Sequence, residues 1–182
     1  NPLWMRYCAI SPDGTSIAFT YKGDIYTVPV NGGKAAQITT NAAYDTHPVW
    51  SPDGKQIAFA SDRMGSMDIF VVDREGGIPK RLTTHSGNET PVAFKDADHI
   101  LFLANVMPSA EDAQFPSGQF QQVYEVSTTG DRPVMFSSMP MEDISINKTG
   151  NALLYHDKKG YEDPWRKHHT SSITRDIWLC SL

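Results

Sequence analysis

The sequence predicts an all-β fold assembled from repeated four-stranded units. The first observation is a repeated stretch, since AISPDGTSIAFTYK at residues 9–22 returns as VWSPDGKQIAFASDR at residues 49–63. The second is the distance between the copies, about 40 residues, which is typical of one propeller blade. The third is the fixed order that follows each copy: an alternating strand, another strand and a Gly-Gly turn. Because such units bury both faces only by stacking around an axis, these observations predict a β-propeller.

The S-P-D-G motif predicts a tight turn between the first two strands of a unit. It occupies residues 11–14 and again residues 51–54. Proline presets φ at the second turn position, aspartate hydrogen-bonds to neighbouring backbone, and glycine accepts a positive φ. Asp13 and Asp53 are therefore interpreted as turn residues and not as catalytic carboxylates.

Alternating apolar residues define the strands that follow the turn. The second strand contains Ile-Ala-Phe in both copies, and the third strand opens with Asp24 or Asp68. β-branched and aromatic residues at a period of two give each strand two distinct faces. We expect these aspartates, and Asp176 in the last unit, to hydrogen-bond to loop backbone.

Two weaker copies follow, so the sequence predicts about four blades. The third has a decayed turn at residues 95–98, and the fourth reaches residue 182 without a Gly-Gly turn or a last strand. The units are predicted at residues 1–40, 41–84, 85–137 and 138–182. We interpret the chain as part of a propeller of six or seven blades, the last blade here being incomplete. Because open strand edges pair with other strands, an isolated copy is expected to self-associate.

Composition and motifs argue against several classes of function. The formal net charge of −5 at pH 7 disfavours a nucleic-acid binder, which is usually basic. No apolar run approaches the length that crosses a bilayer, so no membrane insertion is expected. The sequence lacks a G-x-S-x-G elbow, a P-loop and an H-E-x-x-H helix. We therefore predict no catalytic residue, no metal site and no cofactor in this chain.

The repeat resembles the PD40-type, WD40-like units of TolB-type propellers and of the first propeller of tricorn-protease-like serine peptidases. The resemblance rests on VWSPDGKQIAFASDR followed by DIFVVDREGG and RLT, and it is weaker after Phe94. Residues 114–126 and 160–178 are similar to long loops of bacterial tricorn-like peptidases. The resemblance implies a non-catalytic propeller that binds or gates polypeptide substrates, with the serine nucleophile in a distant domain of the same protein.

Two alternative functions share the same repeat. One is a TolB-like envelope module that binds other proteins and carries no enzyme. The other is the propeller cap of a prolyl-oligopeptidase-type hydrolase, whose catalytic domain contains a nucleophile elbow. The fold alone does not separate the three. Exported relatives imply a periplasmic or otherwise exported location, whereas the archaeal type implies a cytoplasmic one.

The loops between the second and third strands are the candidates for a binding surface. They are short in the first two units but expand between about Asn105 and Gln121 and between about His156 and Arg175. In a four-stranded blade these loops share a face with the connections between blades. Insertions on one face of a repeat array mark a binding surface.

Aromatic and cationic residues in the two insertions predict contact with a polypeptide substrate or with a partner protein or domain. Arginine beside tryptophan and tyrosine is typical of protein-binding hot spots, and cations suit acidic side chains or a peptide carboxylate. The candidates are Phe115, Phe120, Tyr161, Trp165, Arg166, Lys167, His168, His169 and Arg175. Near the central opening we expect His47, Asp45, Thr46, His85 and Asn88, each with a loop hydrogen bond as its simpler role. The alternative role of the insertions is packing on each other or on a neighbouring domain.

Overall fold

The computed structural model describes residues 4–105, 121–139, 141–147, 149–157 and 176–182. The first blade contains β1 (Arg6–Ile10), β2 (Ser16–Tyr21), β3 (Asp24–Pro29) and β4 (Ala36–Gln37). The second blade contains β5 (Asp45–Trp50), β6 (Gln56–Ser61), β7 (Asp68–Asp73) and β8 (Lys80–Arg81). The third blade contains β9 (Glu89–Phe94), β10 (His99–Asn105), β11 (Gln121–Ser127) and β12 (Val134–Ser137). The fourth blade contains β13 (Met141–Ile146), β14 (Ala152–Asp157) and β15 (Ile177–Ser181).

Each blade is a separate antiparallel sheet whose strands follow one another in chain order. Within the described ranges, every regular element is a β-strand. The fourth sheet has three strands, whereas each of the others has four. This confirms the predicted all-β propeller with four blades, the last of them incomplete. No helix in the described part of the chain is long and apolar enough to cross a membrane.

The S-P-D-G motif forms the predicted turn. The Gly14 amide donates to the Ser11 carbonyl at 2.8 Å, and the Ser11 hydroxyl donates to Asp13 Oδ1 at 2.6 Å. The Thr15 amide donates to the same carboxylate oxygen, and the second copy of the motif forms the matching bonds. The Ser11 hydroxyl and the Thr15 amide lower the pKa of Asp13 to about 2. Asp13 therefore serves the turn, as predicted.

Neighbouring blades pack face to face. On β6, Ile57 and Phe59 pack against the first blade, whereas Ala58 between them packs against the third. On β7, Phe70 faces the first blade and Ile69 faces the third. This division follows from the period-two alternation of a strand. All five side chains are at most 2% exposed, so the second blade is buried on both faces by its neighbours.

The fourth blade is buried on one face within the described residues. Leu153 and Tyr155 pack on the third blade, whereas Leu154, Ile177 and Leu179 are exposed on the opposite face. These exposed residues occupy the positions that the second blade buries against the third. The total number of blades and the self-association of an isolated copy stay predictions.

A buried polar cluster joins the second and third blades. The Asp68 Oδ2 atom lies 2.8 Å from Arg81 Nη2, an ionic contact without the direction of a hydrogen bond. Beside it, the Thr83 hydroxyl donates to the Glu89 carboxyl group and accepts from the Ile69 amide. Asp68 thus pairs with a side chain, and the prediction that it bonds loop backbone is wrong.

The equivalent aspartate of the first blade has mixed partners. Asp24 accepts hydrogen bonds from the Gln37 side chain at 3.0 Å and from the Thr39 hydroxyl at 3.4 Å. Burial, and then the neighbouring Asp45 carboxylate, raise the pKa of Asp24. The backbone amide of Asn41, in the following loop, acts to lower that pKa, as expected for a nearby loop amide, but the two donors are side chains.

Glu89 lies in a setting that favours its neutral form. Burial raises its pKa to about 7, the Asp68 carboxylate acts in the same direction, and the bond from Thr83 opposes them. Because the pKa is higher in the folded state, the proton on Glu89 contributes stability fully below about pH 4.5. That contribution is lost as the pH rises through about 7.

We expect Gly54→Val to destabilise the second blade by about 1–3 kcal/mol, because the φ of Gly54 is +69° and β-branched residues resist this region. A Cβ atom at this position would make only an ordinary contact, 3.7 Å from Pro12 Cδ. Gly54→Asn is the matched control, since asparagine tolerates positive φ. Hydrogen exchange of the β5 and β6 amides in the full-length protein measures the effect. Equal exchange in the two variants would contradict the backbone argument.

We expect Glu89→Gln to stabilise the junction of the second and third blades by about 2–3 kcal/mol at pH 8, because the amide replaces a buried charge. Near pH 5, where Glu89 is already neutral, the difference should be small. Protection of the β7 and β9 amides, compared with wild type at each pH, is the readout. Glu75→Gln in an exposed turn is the control, and a pH-independent difference for Glu89→Gln would refute this account.

Candidate functional site at the mouth of the central opening

The first strands of successive blades line the axis of the propeller. Strand β5 packs between β1 and β9, and β9 packs in turn against β13. All four of these strands carry a one-residue bulge against the second strand, at the same place in the repeat. A bulge bends its strand and re-aims the side chains beside it. The repeat therefore presents one irregular position per blade near the axis.

Three of these positions have left-handed backbone. The φ angles are 53° at Tyr7, 52° at His47 and 50° at Asp143. The fourth position is Pro91, whose ring fixes a negative φ. Non-glycine residues seldom adopt positive φ, and such strained residues cluster at binding sites. We call Tyr7, His47, Pro91 and Asp143 the bulge row.

Tyr7 and His47 form an aromatic pair within the bulge row. Their ring centroids are 3.7 Å apart and their planes are inclined by 34°. The Thr46 Oγ1 atom lies 3.1 Å from His47 Nδ1, within hydrogen-bond distance. Burial lowers the pKa of His47 below its usual 6.5, so the imidazole is neutral at pH 7. The pair is thus an uncharged ring surface, exposed on the Tyr7 side.

The opposite end of the bulge row carries charge. The Asp143 Oδ2 atom lies 3.1 Å from Nδ1 of His156, and the Asp143 side chain is largely exposed. His156 is the penultimate residue of β14, where the insertion between about His156 and Arg175 begins. The carboxylate of the row therefore lies beside the point where the predicted binding insertion leaves the sheet.

The predicted loop face is present. The loop that joins β2 to β3 touches the connection between the first two blades, because the Asp45 amide donates to the Gly23 carbonyl at 2.7 Å. The Glu89 amide donates in the same way to the Met67 carbonyl in the next blade. Both insertions join second and third strands, those of the third and fourth blades, and so leave from this face. We call this side of the propeller the loop face.

Most of the predicted contact residues cannot be placed on this face. Nine of them lie outside the described residues: Phe115, Phe120, Tyr161, Trp165, Arg166, Lys167, His168, His169 and Arg175. Their role stays a prediction. The tenth, His47, lies in the bulge row at the axis.

Other residues expected at the opening have structural roles. Asp45 is fully buried, and Arg63 Nη2 lies 2.9 Å from both of its carboxylate oxygens. His85 and Asn88 each accept a hydrogen bond from a loop amide. The simpler role anticipated for these residues is therefore the one observed. Within the described part of the chain, no group of three His, Cys, Asp or Glu side chains could hold a metal ion.

Sequence reasoning missed Tyr7, Asp143 and His156. A signal for the first two exists, because Tyr7 and His47 each stand four residues before the serine of their S-P-D-G turn. Asp143 stands four residues before Asn147, which opens the corresponding turn of the fourth blade. Extending the alignment upstream of the turn would have found the row, although not its backbone strain.

Comparison with known proteins assigns the chain to a family. Residues 2–182 match the family described as the tricorn protease N-terminal beta propeller domain. The four antiparallel blades agree with the propeller fold that this description names. The chain belongs to this family of propeller domains.

Individual relatives agree with the family in fold. Tricorn protease homolog 1 of Streptomyces coelicolor is 35% identical over 97 residues, which are 53% of this chain and 9% of that protein. A solved structure of a putative TolB from Agrobacterium tumefaciens superposes with a TM-score of 0.70 at 22% identity, covering 100% of this chain and 64% of its own. The tricorn protease crystal structure gives a TM-score of 0.58 at 13% identity, covering 87% of this chain and 19% of its own. The chain thus spans a small part of the length of the Streptomyces relative.

We expect the His47 ring to titrate below pH 6.5, because burial disfavours its charged form. The stability associated with the neutral ring is present above the unfolded pKa and is lost as the pH falls below it. NMR titration of ¹³C-labelled histidine measures the midpoint. Tyr7→Ala, which removes the ring in contact with the imidazole, should move the midpoint toward 6.5. A midpoint at or above 6.5 in the unchanged protein would show that the ring is not desolvated.

Proposed function

We propose that this chain is the non-catalytic N-terminal propeller of a larger tricorn-like serine peptidase, and that its loop face binds or gates polypeptide substrates. The observation that carries the proposal is the family match across residues 2–182. Since the fold alone does not define a function, the surface chemistry has to supply the mode of binding. The bulge row and the two insertions supply it.

The mouth of the opening suits an unfolded polypeptide. The neutral Tyr7–His47 pair offers ring surface to apolar side chains. The exposed Asp143 carboxylate offers a partner for cationic groups. The second insertion adds arginine, lysine and tryptophan, including Trp165 and Arg166, for acidic groups and apolar contacts. A surface of such mixed character binds many sequences, as a substrate filter must.

The proposal predicts that the coding sequence continues past Leu182 into further repeats and then a long chain with a serine-peptidase core. A stop soon after the last blade would contradict it and would leave a TolB-like interaction module. A following α/β-hydrolase domain with a nucleophile elbow would instead indicate an oligopeptidase-type hydrolase.

Kinetics of the full-length protein test the role of the loop face. We expect Tyr7→Ala, His47→Ala, Trp165→Ala and Arg166→Ala each to raise the KM for a long unfolded substrate such as casein by about three- to tenfold, through lost binding. Turnover of a short chromogenic peptide should not change, because such a peptide needs no filter. Lys34→Ala is the control, since this exposed lysine follows β3 at the opposite end of the blade. Equal effects on both substrates would reject gating and favour a packing role.

A further inference from the structure

The loop face contains a cleft in the first blade, beside the bulge row and formed by other residues. Its volume is about 720 Å³. The lining includes Trp4, Arg6, Thr20, Tyr21, Lys22 and Tyr44. This lining contains two cations, three aromatic rings and no carboxylate, in a chain in which acids outnumber bases by 21 to 16. The side chains that line the cleft are therefore net positive, in a protein that is acidic overall.

Short hydrogen bonds donated by backbone amides hold the walls of the cleft. The turn between β2 and β3 consists of Lys22 and Gly23, with φ values of 53° and 91°. Two successive positive φ angles are typical of the tight hairpin turn that matches strand twist. The Asp45 amide donates to the Gly23 carbonyl, and the Tyr44 amide donates to Asp62 Oδ1, both at 2.7 Å. The cleft is thus formed by fixed elements before any ligand arrives.

The two cations of the cleft lack the carboxylate partner that three other cations of this protein have. Arg63, Arg81 and Lys95 each have a carboxylate oxygen within 2.9 Å. Among the described residues, no carboxylate forms an ion pair with Arg6 or Lys22. A ligand carboxylate would supply the missing charge, and charge-assisted hydrogen bonds to it are the strong kind.

Aromatic rings flank both cations. Arg6 Cζ lies 5.8 Å from the centroid of a Trp4 ring, and Lys22 Nζ lies 5.5 Å from the Tyr21 centroid. Tyr44 completes the ring surface from the connection between the first two blades. Rings of this kind bury planar or apolar groups through offset or edge contacts. The anion that fits the cleft therefore carries an aromatic group next to its charge.

The wall of the cleft also contains a buried hydroxyl. Thr20 is 2% exposed, lines the cleft, and its Oγ1 atom has no hydrogen-bond partner among the described residues. Buried polar atoms are nearly always bonded, and leaving one unpaired is costly. Because the Oγ1 atom is itself buried, a ligand in the cleft contacts the wall beside this hydroxyl and not the oxygen.

We propose that this cleft binds a carboxylate that has an aromatic ring close to it. Such a group occurs at the C-terminus of a peptide ending in an aromatic residue and in small aromatic acids. The Arg6 guanidinium and the Lys22 ammonium group bind the carboxylate, while Trp4, Tyr21 and Tyr44 contact the ring. This site uses none of the bulge row or the insertions, so it does not depend on the proposed function.

Isothermal titration calorimetry of the full-length protein tests the site. The probes are N-acetylphenylalanine, its neutral C-terminal amide, and an acetylated tetrapeptide with three alanines before a final phenylalanine. We expect the acid to bind at least about tenfold more tightly than the amide, because the amide lacks the charge. The double variant Arg6→Gln, Lys22→Gln should lose this preference. The control Lys34→Gln, Arg132→Gln removes the same net charge from two exposed residues outside the cleft and should keep it.

The outcomes separate the sources of the carboxylate. Tighter binding of the tetrapeptide than of the single amino acid supports a polypeptide end, and equal binding supports a small aromatic acid. Equal affinity for acid and amide would overturn the proposal, as would no saturable binding of any probe. Unchanged affinity in the Arg6→Gln, Lys22→Gln variant would do the same. Loss of binding in Tyr44→Ala with amide exchange unaltered would support the ring contacts.

Discussion

Burial of apolar side chains between adjacent blades is the interaction on which the rest of the structure depends. A strand alternates its side chains, so β6 sends Phe59 to one neighbour and Ala58 to the other. Small residues receive large ones across the junctions, since Ala18 shares a cluster with Trp50, and Ala58 shares one with Phe94. A blade therefore has no core of its own, and its order depends on both neighbours. This requirement brings the first strands of the blades together at the axis. The loops are free of it, so their length and sequence can vary between blades.

The polar groups at the same junctions show that one position of the repeat can have different roles in different blades. Asp45 and Glu89 stand at equivalent places in β5 and β9, and both are fully buried. Asp45 pairs with Arg63, whose Nη2 atom lies 2.9 Å from both carboxylate oxygens, whereas burial raises the pKa of Glu89 to about 7. In the first blade the equivalent residues are Met5 in place of the acid and Gly23 in place of the arginine. The first blade therefore lacks that ion pair, and Gly23 instead lines the cleft on the loop face.

The two ends of each blade have different roles. At one end the S-P-D-G turns are held by their own serine and aspartate side chains, and the copies are nearly identical. At the other end the copies diverge: a two-residue turn at Lys22 and Gly23, a loop with Arg63, and two long insertions. Residues that repeat from blade to blade stabilise the fold, because each blade has to bury the same faces against its neighbours. Binding chemistry is expected where the copies differ, and the loop face is that place.

The sequence alone determined the repeat, the strand order, the turn role of Asp13 and the face from which the insertions leave, because these depend on local propensity and on a period that is read directly. Only the tertiary structure decided which irregular residues matter. Tyr7 and His47 are 40 positions apart in the chain, and the contact between their rings depends on bulges that no local pattern predicts. The cleft likewise needs Arg6, Lys22 and Tyr44 to converge from a strand, a turn and a connection. Such convergence is a property of blade packing, which is long-range, and so it lies beyond what adjacent residues can encode.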